Sequence, residues 1–143
     1  MGKILTCLLF LIFISIQKID SILIFRKFNI EISNHLAGNK ILMINCRYGK
    51  SQATRVVFLS SNTEWKLKFT VYPKTLIWCN LWKGPDYVQH VKFNAFIGKE
   101  SFIHNICGGR KPNICFWKAQ EDGIYVRKNA AGTFKFMYKW DRV

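Results

Sequence analysis

Acidic residues are scarce in this chain: eight Asp and Glu stand against 22 Lys and Arg, a formal net charge of +14. So basic a chain either serves an acidic partner or surface, or uses the charge to stay soluble. The motifs of catalysis and metal binding are missing. No Gly-x-Ser-x-Gly or His-Glu-x-x-His occurs, and no Cys-x-x-Cys or Cys/His cluster has zinc-ligand spacing. His35, His90 and His104 are scattered, whereas a secreted ribonuclease needs histidines brought together as an acid–base pair. No enzyme activity, cofactor or metal is therefore expected. Asn-x-Ser/Thr is absent, so N-glycosylation is not expected either. No segment holds a helical period. The one long apolar run, residues 4–16, is short of the ~20 residues that span a bilayer.

What is present begins with that run. It follows Met1-Gly2-Lys3, and a basic residue before a short apolar core is the layout of a secretory signal peptide. Cleavage is expected near Ser21, making residues 1–21 the leader and 22–143 the mature domain. An uncleaved anchor would have to carry Lys18 and Asp20 within its span, at several kcal/mol. Cleavage removes Cys7 and leaves Cys46, Cys79, Cys107 and Cys115, an even set that predicts two internal bridges in an oxidising compartment. Losing Lys3, Lys18 and Asp20 takes the net charge from +14 to +13. The remaining chain, about 120 residues, suits one domain with one modest core.

Alternation of apolar and polar residues predicts strands at 28–33, 41–46, 56–59, 65–71, 75–82, 91–96, 115–119, 124–127 and 133–140. Trp65, Leu67, Phe69 and Val71 face one way in the clearest of them, with Lys66 and Lys68 opposite. Phe134, Phe136, Tyr138 and Trp140 share one face of the last. Residues 47–54 and 98–113 lack periodicity and predict loops, and Lys83-Gly84-Pro85-Asp86 predicts a turn. The fold class is all-β, a small antiparallel sandwich of about eight strands pinned by two disulfides.

Cys46 closing an apolar strand, Thr75-Leu76-Ile77-Trp78-Cys79, Cys115-Phe116-Trp117, Asp122-Gly123-Ile124-Tyr125 and Trp140 stand in a recognisable order. In this the chain resembles the plant self-incompatibility S-protein family, the S-protein homologues, from Phe28 to Trp140. The resemblance implies a small secreted β-sandwich with two disulfides and no known catalytic activity. Its namesakes are pistil proteins that act as ligands of a pollen plasma-membrane receptor. The four cysteines carry over as two bridges, and a nested pairing is adopted as the expectation, Cys46–Cys115 and Cys79–Cys107, one of three possible. The loop after the first cysteine departs from the family. It reads Gly49-Lys50-Ser51-Gln52-Ala53-Thr54-Arg55, where relatives carry acidic residues and Leu-Gly. If that loop helps choose the partner, this chain's partner need not be the namesakes' receptor.

Two functions remain open at this point. One is an extracellular signalling ligand, of a kind that acts in self-incompatibility or other cell–cell communication, read by a plasma-membrane receptor through loops 47–55, 83–89 and 99–113. Its candidate contacts are Lys50, Arg55, Trp82, Lys83, Lys99, Arg110 and Lys111. The other is a cationic secreted defence protein on anionic lipid or cell-wall polysaccharide. A monomer is expected, with no nucleic-acid partner. Tryptophans interleaved with lysine could stack bases or sugars, but core packing is the commoner use of aromatics in small sandwiches. Trp82, beside the turn, is the expected exception.

Overall fold

The computed structural model describes residues 1–21, 25–49 and 52–142, with side chains in the first stretch for residues 1–12. Helix α1 (Gly2–Ser21) precedes the sandwich. Among the described residues no helix is long and apolar enough to cross a membrane. One sheet holds β1 (Lys27–Asn34), β5 (Glu64–Thr70), β8 (Ile114–Gln120), β9 (Gly123–Lys128) and β10 (Thr133–Tyr138). Their order is β10-β9-β8-β1-β5. The second sheet holds β2 (Leu42–Tyr48), β3 (Gln52–Ala53), β4 (Val57–Leu59), β6 (Leu76–Lys83), β7 (Gln89–Ile97) and β11 (Asp141–Arg142). It runs β11-β7-β6-β2-β3, with β4 also on β2. The all-β sandwich with two disulfides is thus as expected. The strands that alternation did not predict, β3 and β11, are two-residue pieces.

Alternation does the sorting. In β1, Phe28, Ile30 and Ile32 are buried, and in β2, Leu42, Ile44 and Cys46. In β6 it is Ile77, Cys79 and Leu81, so these strands cover a single core from both sides. Aromatic contacts join the sheets: Phe28 and Phe69 pack on Phe96 at 4.9 and 4.7 Å between ring centres, and Phe93 meets Trp117 at 4.6 Å. The Trp117 indole N–H donates across the core to the Ala95 carbonyl at 3.1 Å, so this largest core side chain leaves no polar atom unpaired.

Several expectations are corrected. Residues 98–113 are not one loop: α2 (Glu100–Phe102) runs into a π-helical turn, Ile103–Cys107, which buries Ile103 and Cys107 four positions apart. Eight helical residues are too few for a sequence period to show. Residues 47–54 are likewise partly strand, since β2 continues to Tyr48 and pairs β3. Strand β1 runs parallel to β8 although its other neighbour, β5, is antiparallel. In β10 the pairing slips between Phe136 and Tyr138. The extra residue of that irregularity reverses the phase: Phe134 and Phe136 turn outward, 42% and 46% exposed, while Tyr138 packs on the core.

The nested disulfide pairing is also corrected. Cys46 and Cys79 are opposite one another on adjacent strands β2 and β6, with Cα atoms 4.0 Å apart, and are bonded. Cys107 bonds Cys115, Cα to Cα 5.0 Å, tying the π-turn to the start of β8. The nested pattern would have needed Cys46 to reach the other sheet, and strand adjacency is a tertiary fact. We expect peptide mapping of the unreduced protein to recover Cys46–Cys79 and Cys107–Cys115 fragments, and a Cys46–Cys115 fragment would refute this pairing. Loop-closure entropy over separations of 33 and 8 residues gives contributions of about 4 and about 2.5 kcal/mol. Cys46→Ala/Cys79→Ala should therefore lower the unfolding free energy in denaturant more than Cys107→Ala/Cys115→Ala.

Candidate recognition surfaces

The sandwich has two ends. At the proximal end lie the start of β1, the end of β2, residues 71–75 and 98–113, and the β9–β10 turn. At the distal end lie the β6–β7 and β8–β9 turns and residues 35–41. The predicted contact residues do not converge on one site. Lys99 and Lys111 are exposed at the proximal end, and Arg110 beside them is half-buried in an ion pair with Glu100. Arg55 is exposed on the edge connection between β3 and β4. Trp82 and Lys83 belong to the distal half, and Lys50 lies outside the described residues.

Lys83 is corrected from a partner contact to a structural residue. Only 5% exposed, it points inward from the end of β6. Its ammonium donates to the Glu121 carbonyl at 2.8 Å, pairs with the Glu121 carboxylate at 3.3 Å and lies 5.2 Å from the Trp140 ring centre. Lys40 and the Ala37 N–H also reach that carboxylate, each at 2.9 Å. A buried ammonium is tolerable only with such partners. The alternation of β6 carried the signal, because Lys83 follows Ile77, Cys79 and Leu81 on the inward phase.

The proximal loop is braced. Cys107–Cys115 closes its base. Asn129, buried at the end of β9, donates from its amide to the Gly109, Pro112 and Ile114 carbonyls at 3.2, 3.3 and 2.7 Å. Lys128 donates to the Asn105 and Ile106 carbonyls. Gly108 takes φ +73°, and a Cβ there would stand 2.6 Å from the Asn129 backbone nitrogen, so only glycine fits. Residue order carries no sign of this bracing, because the partners of Asn129 lie 15 to 20 positions earlier.

Charge is uneven between the ends. Lys27, Lys74, Lys99 and Lys111 are exposed at the proximal end, where Glu100 is already paired with Arg110. A cleft of about 470 Å³ opens beside them, lined by Tyr48, Gln52, Lys68, Tyr72 and Lys74. Glu64, Asp86, Glu121 and Asp122 gather at the distal end, opposite Lys40, Lys83 and Lys139. The proximal end thus carries a cationic excess and the distal end is close to balanced.

The outer face of the second sheet holds what core packing was expected to hide. Trp78 is half-buried there rather than in the core, with Trp82 on the same phase of β6. Of the other tryptophans, Trp117 is fully buried, and Trp65 and Trp140 pack against the core. His90 lies on this outer face, His35 follows β1, and His104 is in the π-turn at the opposite end from His35.

The family model for plant self-incompatibility protein S1 matches residues 29–140. The chain belongs to that family. S-protein homolog 9 of Arabidopsis thaliana is 28% identical over 137 residues, 95% of this chain and 97% of the relative. S-protein homolog 8 of the same plant is 30% identical over 102 residues, 70% of this chain and 71% of the relative. A solved SPH (self-incompatibility protein homologue) structure has a TM-score of 0.55 at 20% identity, covering 83% of this chain and 97% of the other. It shares the fold. Its family is described as small, highly stable, secreted proteins from plants.

Within this S1-family domain the Glu121 knot has a defined pH response. Partial burial pushes the Glu121 carboxyl up, but hydrogen bonds from Lys40 and Ala37 and the charge and hydrogen bond of Lys83 outweigh it, leaving the pKa below the ordinary 4.5. A depressed carboxyl pKa stabilises the fold above the unfolded value and ceases to do so as pH falls through the folded one. Glu121→Gln should cost about 1–2 kcal/mol at pH 7, kept modest by the 40% exposure of the side chain. Melts at pH 7 and pH 3 should show a smaller gap between variant and parent at pH 3. An undiminished gap would remove the ion pairs from this account.

Proposed function

We propose that the protein is a secreted, non-enzymatic signalling ligand, exported by cleavage of the leader at 1–21 and recognised by a plasma-membrane receptor at its proximal end. The observation that carries this reading is the braced cationic loop. Residues 108–113 are held by Cys107–Cys115 and by three donations from Asn129, so Lys111 and the neighbouring Lys99 are displayed with little ordering left to lose on binding. S1-family membership supports it, since the family is one of small secreted plant proteins. The complementary receptor surface is acidic. Charge of this kind raises association rate and selects among partners.

A cationic defence protein acting on anionic lipid is the rival. It would need only net charge and would weaken steeply with salt. The test uses fluorescently labelled protein on wall-free protoplasts of the source tissue. Binding should be saturable, lost on protease treatment of the cells, and retained at physiological salt. Lys99→Gln/Lys111→Gln should weaken it about tenfold or more, the scale of ~1.4 kcal/mol, with an unchanged melting temperature. Gly108 and Arg110 are left intact because the fold uses both. Protease-insensitive binding that vanishes with salt would favour the rival.

A further inference from the structure

The outer face of β2, β6 and β7 is a regular array that the receptor reading does not use. Register places Met43, Trp82 and His90 in one row, Asn45, Asn80 and Lys92 in the next, and Arg47, Trp78 and Asn94 in a third. All are the outward phase of strands whose inward phase, including Ile44, Cys46, Cys79, Leu81, Val91 and Phe93, fills the core. Trp78 stands between two cations, with the Lys92 ammonium 4.2 Å and the Arg47 guanidinium 5.7 Å from its ring centre. Neither cation has an ion-pair partner among the described residues. Trp82 stacks on His90 at 4.9 Å with 22° between planes, and His90 Nε2 meets Asn80 Oδ1 at 2.8 Å. Asp141 lies opposite His90 on the edge strand.

Solubility does not account for this composition. Lysine and threonine alone would solvate a sheet face, whereas two tryptophans on it add apolar surface that the core does not use. The rings act instead on their neighbours. A cation held against an aromatic face has lost much of its side-chain freedom before any ligand arrives, so an anion meets a prepared pair of charges. Trp78 and Trp82 are four positions apart on β6, about 13 Å of strand. The array runs along three neighbouring strands on a sheet face, which fits an extended polymer better than a small molecule. Aromatic rings suit the C–H faces of sugars, amides suit hydroxyls, and Arg47 and Lys92 suit carboxylates.

We propose that this face binds an acidic polysaccharide, a chain of uronate sugars, with Arg47 and Lys92 on its carboxylates and Trp78, Asn80 and Trp82 along its rings. The site is separate from the proximal loop, so it does not rest on the receptor reading. It would hold the secreted protein in an acidic matrix while the cationic end remains free. Burial lowers the His90 pKa, opposed by the charge of Asp141 and aided by that of Lys92, which favours the neutral form of the stacked imidazole.

The test is calorimetric titration of the disulfide-intact protein with polygalacturonate and with its methyl-esterified form, at about 0.15 M salt. The acid form should bind, and esterification should weaken binding about tenfold or more, ~1.4 kcal/mol. Arg47→Gln/Lys92→Gln should do the same, and so should Trp82→Ala. The charge-matched Lys66→Gln/Lys135→Gln, on the other sheet, should change affinity less than twofold. Melting temperatures identify any variant that misfolds, and Lys92→Gln alone, at an exposed site, then serves in place of the double variant. Equal losses in the two charge-matched pairs would mean delocalised net charge and overturn the site. So would absence of polygalacturonate binding, or binding only to phosphatidylserine-containing vesicles. Protoplast binding by Lys92→Gln, at a mid-strand position of β7 outside the proximal end, should be unchanged, which separates this proposal from the receptor reading.

Discussion

Trp117 is the residue on which the two sheets agree. It is 1% exposed, packs on Phe93, and gives its one polar hydrogen to the Ala95 carbonyl across the core. An indole that size fits only if both sheets hold their separation and register, and its N–H must find an acceptor inside. Because β8 carries Trp117 and pairs with β1 in parallel, the same contact joins the first strand of the domain to its last third. Phe96, beneath Phe28 and Phe69, repeats the link a few residues along β7.

With the core settled in the middle, each end is secured by a buried asparagine. Asn34 donates to the Lys40 and Leu59 carbonyls and accepts from the Leu36 N–H, all at 2.9 Å, which gathers the distal loops. Asn129 gathers the proximal one. A side-chain amide can bind several backbone groups that no strand partner reaches, so irregular chain becomes as ordered as the sheets. The distal end adds Lys83 and Glu121, whose charges are used up within the fold. The proximal end leaves its lysines outward. That difference makes one end a candidate for recognition and the other a closure.

The two sheet faces divide in a similar way. Phe134 and Phe136 line up with Lys118, whose ammonium is 3.7 Å from the Phe134 ring centre, on the outside of the first sheet. Trp78, Arg47 and Lys92 do so on the second. In both places aromatic rings order cations on a solvent face rather than filling the core. A rigid sandwich can carry such rows at little cost to stability because its inward phase supplies the hydrophobic burial by itself.

Much of this was legible from residue order. The export leader was an expectation from composition, while the all-β class and the main strands followed from a period of two, which is a local property of the chain. The ordered cysteine, tryptophan and Asp-Gly motifs also pointed to the S1 family. What lay beyond sequence reading depended on which strands are neighbours. The disulfide pairing went astray because Cys46 meets Cys79 through β2–β6 adjacency, not through spacing. Trp78 was assigned to the core because aromatics usually pack there, although its phase opposite Cys79 was already visible. Lys83 reads as part of a turn, and Asn129 carries no signal at all, until their partners, 38 and 15 to 20 positions away, are in place. Alternation by itself determined the strands and their two phases; only the tertiary structure decided which phase, loop and charge face a partner, because those depend on contacts between residues far apart in the chain.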